Sequence, residues 1–248
     1  MNSSQISLIL HALAPALDLS DRRPLAVVHA MERGMPGLSL AWQISDDAQA
    51  IPAPEGDDRS ADGSFPLRCN ANLEHLVTLS RREWPGALCS GGKPQFLVHA
   101  DWPMDAPGLA AAADVLEAVA EAAGSYWAHV TPDTLTLDIA AQIHPPLAGP
   151  SKHPRGLPTL KRSSQIGSPE IPEYLGWLNY WSAAAARAIG FPDPARDAEL
   201  LSRSRPTASG GWVVRLTDAP LDLDDPAHLQ ALLRAYERFP AIGGRASS

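Results

Sequence analysis

Hydrophobic and polar positions along the chain change period several times, and each change marks an element. Residues 6–13 alternate loosely in β-favouring types and predict a first strand. Pro24 then suits the first turn of a helix, with Leu25, Val28, Met31 and Met35 at helical spacing and Gly34, Pro36 and Gly37 as its stop. Residues 38–44 alternate again, which predicts a β-α-β opening. Residues 45–63 carry no apolar period and predict an exposed acidic loop, and 65–70 and 76–80 predict short strands.

Gln95-Phe-Leu-Val-His-Ala-Asp101 is the clearest strand pattern. Asp105 follows as an N-cap, with Pro107 in the first turn. The helix behind it sets Leu109, Ala112, Leu116, Val119 and Ala123 on one face and Asp114, Glu117 and Glu121 on the other, and Gly124 ends it. Residues 126–130 and 135–140 read as strands, the second also as a short helix. The expected fold is α+β: a ferredoxin-like (split βαβ), mixed or antiparallel sheet with a C-terminal helix–strand–helix extension packed on it.

Prolines 145, 146, 150, 154 and 158 predict an extended crossover. The expected layout is an α+β sheet unit over 1–143, a proline-rich crossover over 144–172 and a C-terminal portion over 173–248, forming one continuous globular domain. Within that last portion, the aromatic run Tyr174–Ser182 and the alanines after it predict a helix over 173–189, with Trp177 and Trp181 on one face. Together with Tyr174, Tyr180 and Trp212, these side chains make an aromatic packing seam. A strand over 212–217 and a last helix follow, the helix capped by Asp225, started by Pro226 and lined by Leu229, Leu232, Leu233 and Tyr236.

Composition narrows the picture. Of 248 residues, 45% are hydrophobic and 19% charged, so the chain is rich enough in apolar groups to bury a core. The net charge of −8 disfavours nucleic acid or an anionic membrane as direct ligand and favours a basic partner. No run approaches a membrane span, and no basic region precedes a long apolar one, so the expected location is cytoplasmic. Cys69 and Cys89 lack metal or redox spacing and read as free thiols.

Chemistry is sparse. The Gly-Gly-Lys of residues 86–93 misses phosphate-loop spacing by one residue and precedes a strand, not a helix. His99 and Asp101 share a strand face, but no third metal ligand is spaced to join them. The remaining histidines show no period. Asp218, Asp222, Asp224 and Asp225 lack the central Gly and terminal Glu of a calcium loop. No nucleophile elbow is present. Neither a catalytic residue, a metal nor a cofactor is expected. The competing expectation is an enzyme or small-molecule binder with a pocket of Trp102, Trp177 and Trp181 beside His99 and Asp101.

Several runs carry a resemblance: Leu175-Gly-Trp-Leu-Asn-Tyr-Trp-Ser182, Gly190-Phe-Pro-Asp193, Gly211-Trp-Val-Val-Arg-Leu-Thr217 and Pro226-Ala-His-Leu229. They resemble a bacterial family of unknown function (DUF5953-like) and, more distantly, the Immunity protein 52 family of polymorphic toxin systems. That second resemblance implies an α+β protein that binds and neutralises a cognate toxin, with a nuclease as the implied case, and brings no catalytic residues. Carboxylates at Asp46, Asp47, Glu55, Asp57, Asp58 and Asp62, or at Asp218, Asp222, Asp224 and Asp225, are the candidate partner-binding groups, since a nuclease groove is positive.

Overall fold

The computed structural model describes residues 6–18, 20–45, 47–53, 65–82, 89–144 and 153–245. Among them lie ten strands in one sheet, ordered β3-β2-β4-β5-β6-β1-β7-β8-β10-β9, and every pairing is antiparallel. Its centre is β1 (Ser7–Pro15), held between β6 (Gln95–Pro103) and β7 (Trp127–Pro132). On one side lie β5 (Leu76–Arg82), β4 (Arg68–Cys69), β2 (Trp42–Ile44) and β3 (Ala50–Pro52). On the other lie β8 (Leu178–Trp181), β10 (Trp212–Arg215) and β9 (Arg205–Pro206).

Because β1 is antiparallel to both neighbours, β6 and β7 run in the same direction. Joined by α2 (Ala106–Ala123), they form a split β-α-β unit around β1. The expected α+β fold on an antiparallel sheet is present. The opening β-α-β unit is not: β2 pairs with β3 and β4, four places from β1, because α1 (Arg23–Gly34) leads the chain out to the sheet's edge.

Local chemistry accounts for the helices. In α2 the Asp105 carboxylate accepts the Gly108 amide at 2.8 Å, and Gly124 closes the end at φ +62°. After the short α5 (Ala198–Leu201), two further expected features hold in α6 (Pro226–Arg238): Asp225 caps it through the Ala227 amide at 2.8 Å, and Pro226 is its first residue. Residues 135–140 form α3 (Thr136–Ile143) with the 3-10 turn before it, so the helical alternative holds there.

Alternation along the central strands sorts side chains onto two faces. Leu8, Leu10 and Ala12 stand beside Trp102, Ala100 and Val98, all at most 3% exposed, on the face that α2 covers; the Trp102 indole donates to the Gly108 carbonyl of that helix. Ile9, His11 and Leu13 take the opposite face.

The aromatic run departs from expectation. Residues 173–189 do not form one helix. Residues 178–181 are strand β8, paired with β7 and β10, and α4 (Ala183–Ile189) starts only after Ser182, whose hydroxyl accepts the Ala185 amide. Aromatic residues favour a pleated surface, and two strands wait on either side to pair. The rings therefore divide between the faces. Tyr180 reaches Glu121 of α2 at 3.0 Å, while Trp181 meets Phe191 and Phe239 edge-on at 5.1 and 5.2 Å. Trp212 stands edge-on to the same Phe191 at 5.3 Å, and the Trp177 indole donates to the Thr217 carbonyl at 2.9 Å.

Trp181 is fully buried between strand and helix, whereas Leu137 on α3 is 82% exposed. Trp181→Ala and Trp177→Ala should each cost about 3–5 kcal/mol in denaturant unfolding. Leu137→Ala should change stability by less than about 0.5 kcal/mol.

Candidate functional site

The register of the central strands sets three histidines side by side. His11 pairs directly with His99 on β6 and with His129 on β7, and the row continues to Asn179 on β8. All lie on the face away from α2. Each is flanked by apolar residues: Leu10 and Ala12, Val98 and Ala100, Ala128 and Val130.

A fourth group comes from outside the sheet. The segment after residue 153 is tied down by backbone bonds: Leu160 to Gln142, Lys161 to Gly243, and Gly243 to Pro172. The Trp127 indole donates to the Pro169 carbonyl. The turn after Tyr174 is locked by the buried Asn179, whose amide oxygen accepts from Gly176 N–H at 2.9 Å and whose amide donates to the Gly176 carbonyl at 3.0 Å. Only glycine fits at 176, since a Cβ there would lie 2.7 Å from Thr131 Oγ1 and 2.8 Å from the Val130 carbonyl. Tyr174 is thereby laid against His129, their ring centroids 3.9 Å apart.

These groups form a continuous chain. Asp101 Oδ2 lies 2.8 Å from His99 Nε2, His99 Nδ1 lies 2.6 Å from His11 Nε2, and His11 Nδ1 lies 2.8 Å from the Tyr174 hydroxyl. With both imidazoles neutral, one arrangement of hydrogens satisfies it. The carboxylate accepts from His99, which leaves His99 Nδ1 to accept from His11. His11 Nδ1 in turn accepts the phenolic hydrogen. Burial, then the electrostatic effect of His99 beside it, lowers His11 to about 4. Burial, then the charge of Glu173, raises the Tyr174 phenol well above its usual range.

His129 stands apart from the chain. It is 1% exposed, stacks on Trp127 at 5.5 Å, and has no hydrogen-bond partner at either ring nitrogen. Burial, then the cost of a second positive charge beside His11, lowers it well below its usual value.

Above the row lies a cavity of about 460 Å³, lined by His11, His99, Tyr174, Trp127 and apolar residues of β1, β6 and α3. Arg82 and Glu173 lie on its wall with side chains 3.8 Å apart. Among the described residues no three His, Cys, Asp or Glu side chains are arranged to hold a metal ion, and the two cysteines are buried and unpaired.

The structure places the residues singled out from sequence as follows. His99 and Asp101 are in direct contact and His99 lines the cavity, but Trp102, Trp177 and Trp181 do not. Trp102 points to the α2 face, and Trp177 and Trp181 are buried in the core, so the tryptophan pocket does not form. Asp46, Glu55, Asp57, Asp58 and Asp62 lie outside the described residues, and Asp47 is exposed in the turn between β2 and β3. Asp218, Asp222, Asp224 and Asp225 are exposed after β10, with Leu221 and Leu223 buried between them. Three of these have local duties. Asp225 caps α6, Asp222 accepts the Asp224 amide, and Asp224 pairs with Arg155 at 2.8 Å. Sequence reasoning missed His11 and His129, and it set Tyr174 in the aromatic seam, whereas the structure lays it against the histidines on the cavity wall. Their available signal was the thrice-repeated histidine between apolar residues inside a predicted strand.

A family model described as "Domain of unknown function (DUF5953)" matches residues 19–247. In fold the chain is similar to "Pseudomonas aeruginosa T6SS protein PA0821", with a TM-score of 0.56 at 14% identity, covering 94% of this chain and 73% of that one. No curated protein matches in sequence.

The buried histidines make stability depend on pH. His11 is displaced from 6.5 to about 4 in the folded state, so the unfolded chain binds its proton first. Stability should fall as pH drops below about 6.5, on the order of 3 kcal/mol from this group by pH 4. His129 acts in the same direction. Because His129 has no partner to lose, His129→Phe should be neutral or stabilising at pH 7 by denaturant unfolding and should flatten this acid-side slope. A variant as acid-sensitive as the wild type would contradict the assignment.

Proposed function

The chain belongs to the DUF5953 family, and from that premise we propose that it is an immunity-type protein that binds a cognate bacterial toxin and neutralises it by stoichiometric inhibition. The observation that carries this reading is the likeness in fold, along nearly the whole chain, to a T6SS protein. The distant resemblance to Immunity protein 52 points the same way, and the net charge of −8 suits a basic partner such as a nuclease. On this reading the protein acts as a binder in the cytoplasm and catalyses no reaction.

Of the acidic positions, Asp47 and Asp218 are exposed and cap no helix, and Asp224 contributes only a surface ion pair. These are the carboxylates with charge to spare for a partner.

Co-expression with the product of the adjacent gene tests the reading. The expected outcome is rescue of growth and a one-to-one complex in solution. A neighbour that is harmless, or equally toxic with and without this protein, would refute it. Given a complex, the triple variant D47N/D218N/D224N should associate about tenfold more slowly at low salt, with the gap closing as salt rises.

A further inference from the structure

The cavity above the histidine row has a specific chemistry. Its walls are mostly apolar side chains of β1, β6 and α3 together with Trp127, and Ser80, Arg82, His144 and Glu173 are polar groups at its margin. Its volume of about 460 Å³ is in the range of small-molecule sites. At one place on this wall sits the hydrogen-bonded chain from Asp101 to Tyr174.

With both imidazoles neutral, every hydrogen in that chain is donated toward the carboxylate, so Tyr174, at the far end, has its own hydrogen committed to His11. What its oxygen offers an incoming group is a lone pair, strengthened because hydrogen bonds in series polarise one another.

Charge narrows the class. A carboxylate would face lone pairs, with Asp101 behind them and Glu173 beside Arg82. A cation would surrender its hydration to a wall built largely of hydrocarbon. A neutral donor suits both conditions, and a ring suits the indole face.

We propose that this cavity is a binding site for a neutral hydroxylated aromatic molecule of one or two rings, whose hydroxyl donates to Tyr174 and whose ring packs along Trp127. The inference is independent of toxin neutralisation: either can fail without the other.

Three probes of one shape decide it, titrated into the full-length protein by calorimetry at neutral pH: 2-naphthol, naphthalene and 2-naphthoate. The expected order places 2-naphthol about tenfold tighter than naphthalene, the effect of one buried hydrogen bond, and 2-naphthoate weakest. Equal affinity for 2-naphthol and naphthalene, tighter binding of 2-naphthoate, or binding of none of them would overturn the proposal. In Tyr174→Phe the hydroxyl preference should vanish while naphthalene still binds, and that retained binding reports an intact cavity. A variant that keeps the tenfold preference would also overturn it. The wild-type ranking decides the matter even if the variant does not fold.

Discussion

The register of β1 between β6 and β7 is the constraint on which the rest depends. A strand paired on both sides has no freedom to slip, because a shift of one residue would exchange its two faces. Here that exchange would drive His11 under α2 and turn Leu8 and Leu10, now unexposed, out to the cavity side. The apolar face thus pins the polar one. Three imidazoles line up because the leucines and alanines beside them have only one place to go.

A second dependency runs through the C-terminal part. Tyr174 reaches His11 only because the turn behind it is clasped by Asn179, itself the next member of the row on β8. The Leu175 amide is held by the Tyr236 hydroxyl of α6 at 3.3 Å. The last helix therefore positions a residue at the middle of the sheet, about sixty positions earlier in the chain. Polar groups drawn inward from a sheet face are tolerated when they are bonded, as they are along the chain from the half-exposed Asp101 and His99 to the buried Tyr174. His129 departs from that rule, its two nitrogens unpaired under stacked rings.

Local signals were legible in the sequence wherever local chemistry decides. The caps at Asp105 and Asp225, the stop at Gly124 and the strand at residues 95–101 are short-range matters of hydrogen bonding and alternation. Strand order was not legible, since nothing in residues 38–44 states that they pair four places from β1. The aromatic run misled for a related reason. Trp177 and Trp181 have helical spacing, but open neighbours on β7 and β10 decide the outcome, and those are tertiary facts. The candidate site was half readable. His99 and Asp101 announce themselves two apart on one strand, whereas His11, His129 and Tyr174 join them only through pairing and a loop.

The order of the strands also has an electrical consequence. Asp47 lies between β2 and β3 near one end of the sheet, and Asp218 follows β10 near the other. Seven strand spacings separate β2 from β10, which is roughly 34 Å at the usual interval. Ions in physiological solution screen charge over roughly 8 Å. The two acidic ends are therefore separate electrical objects, invisible to each other. A partner approaching either one meets its own local field rather than the net charge of the molecule.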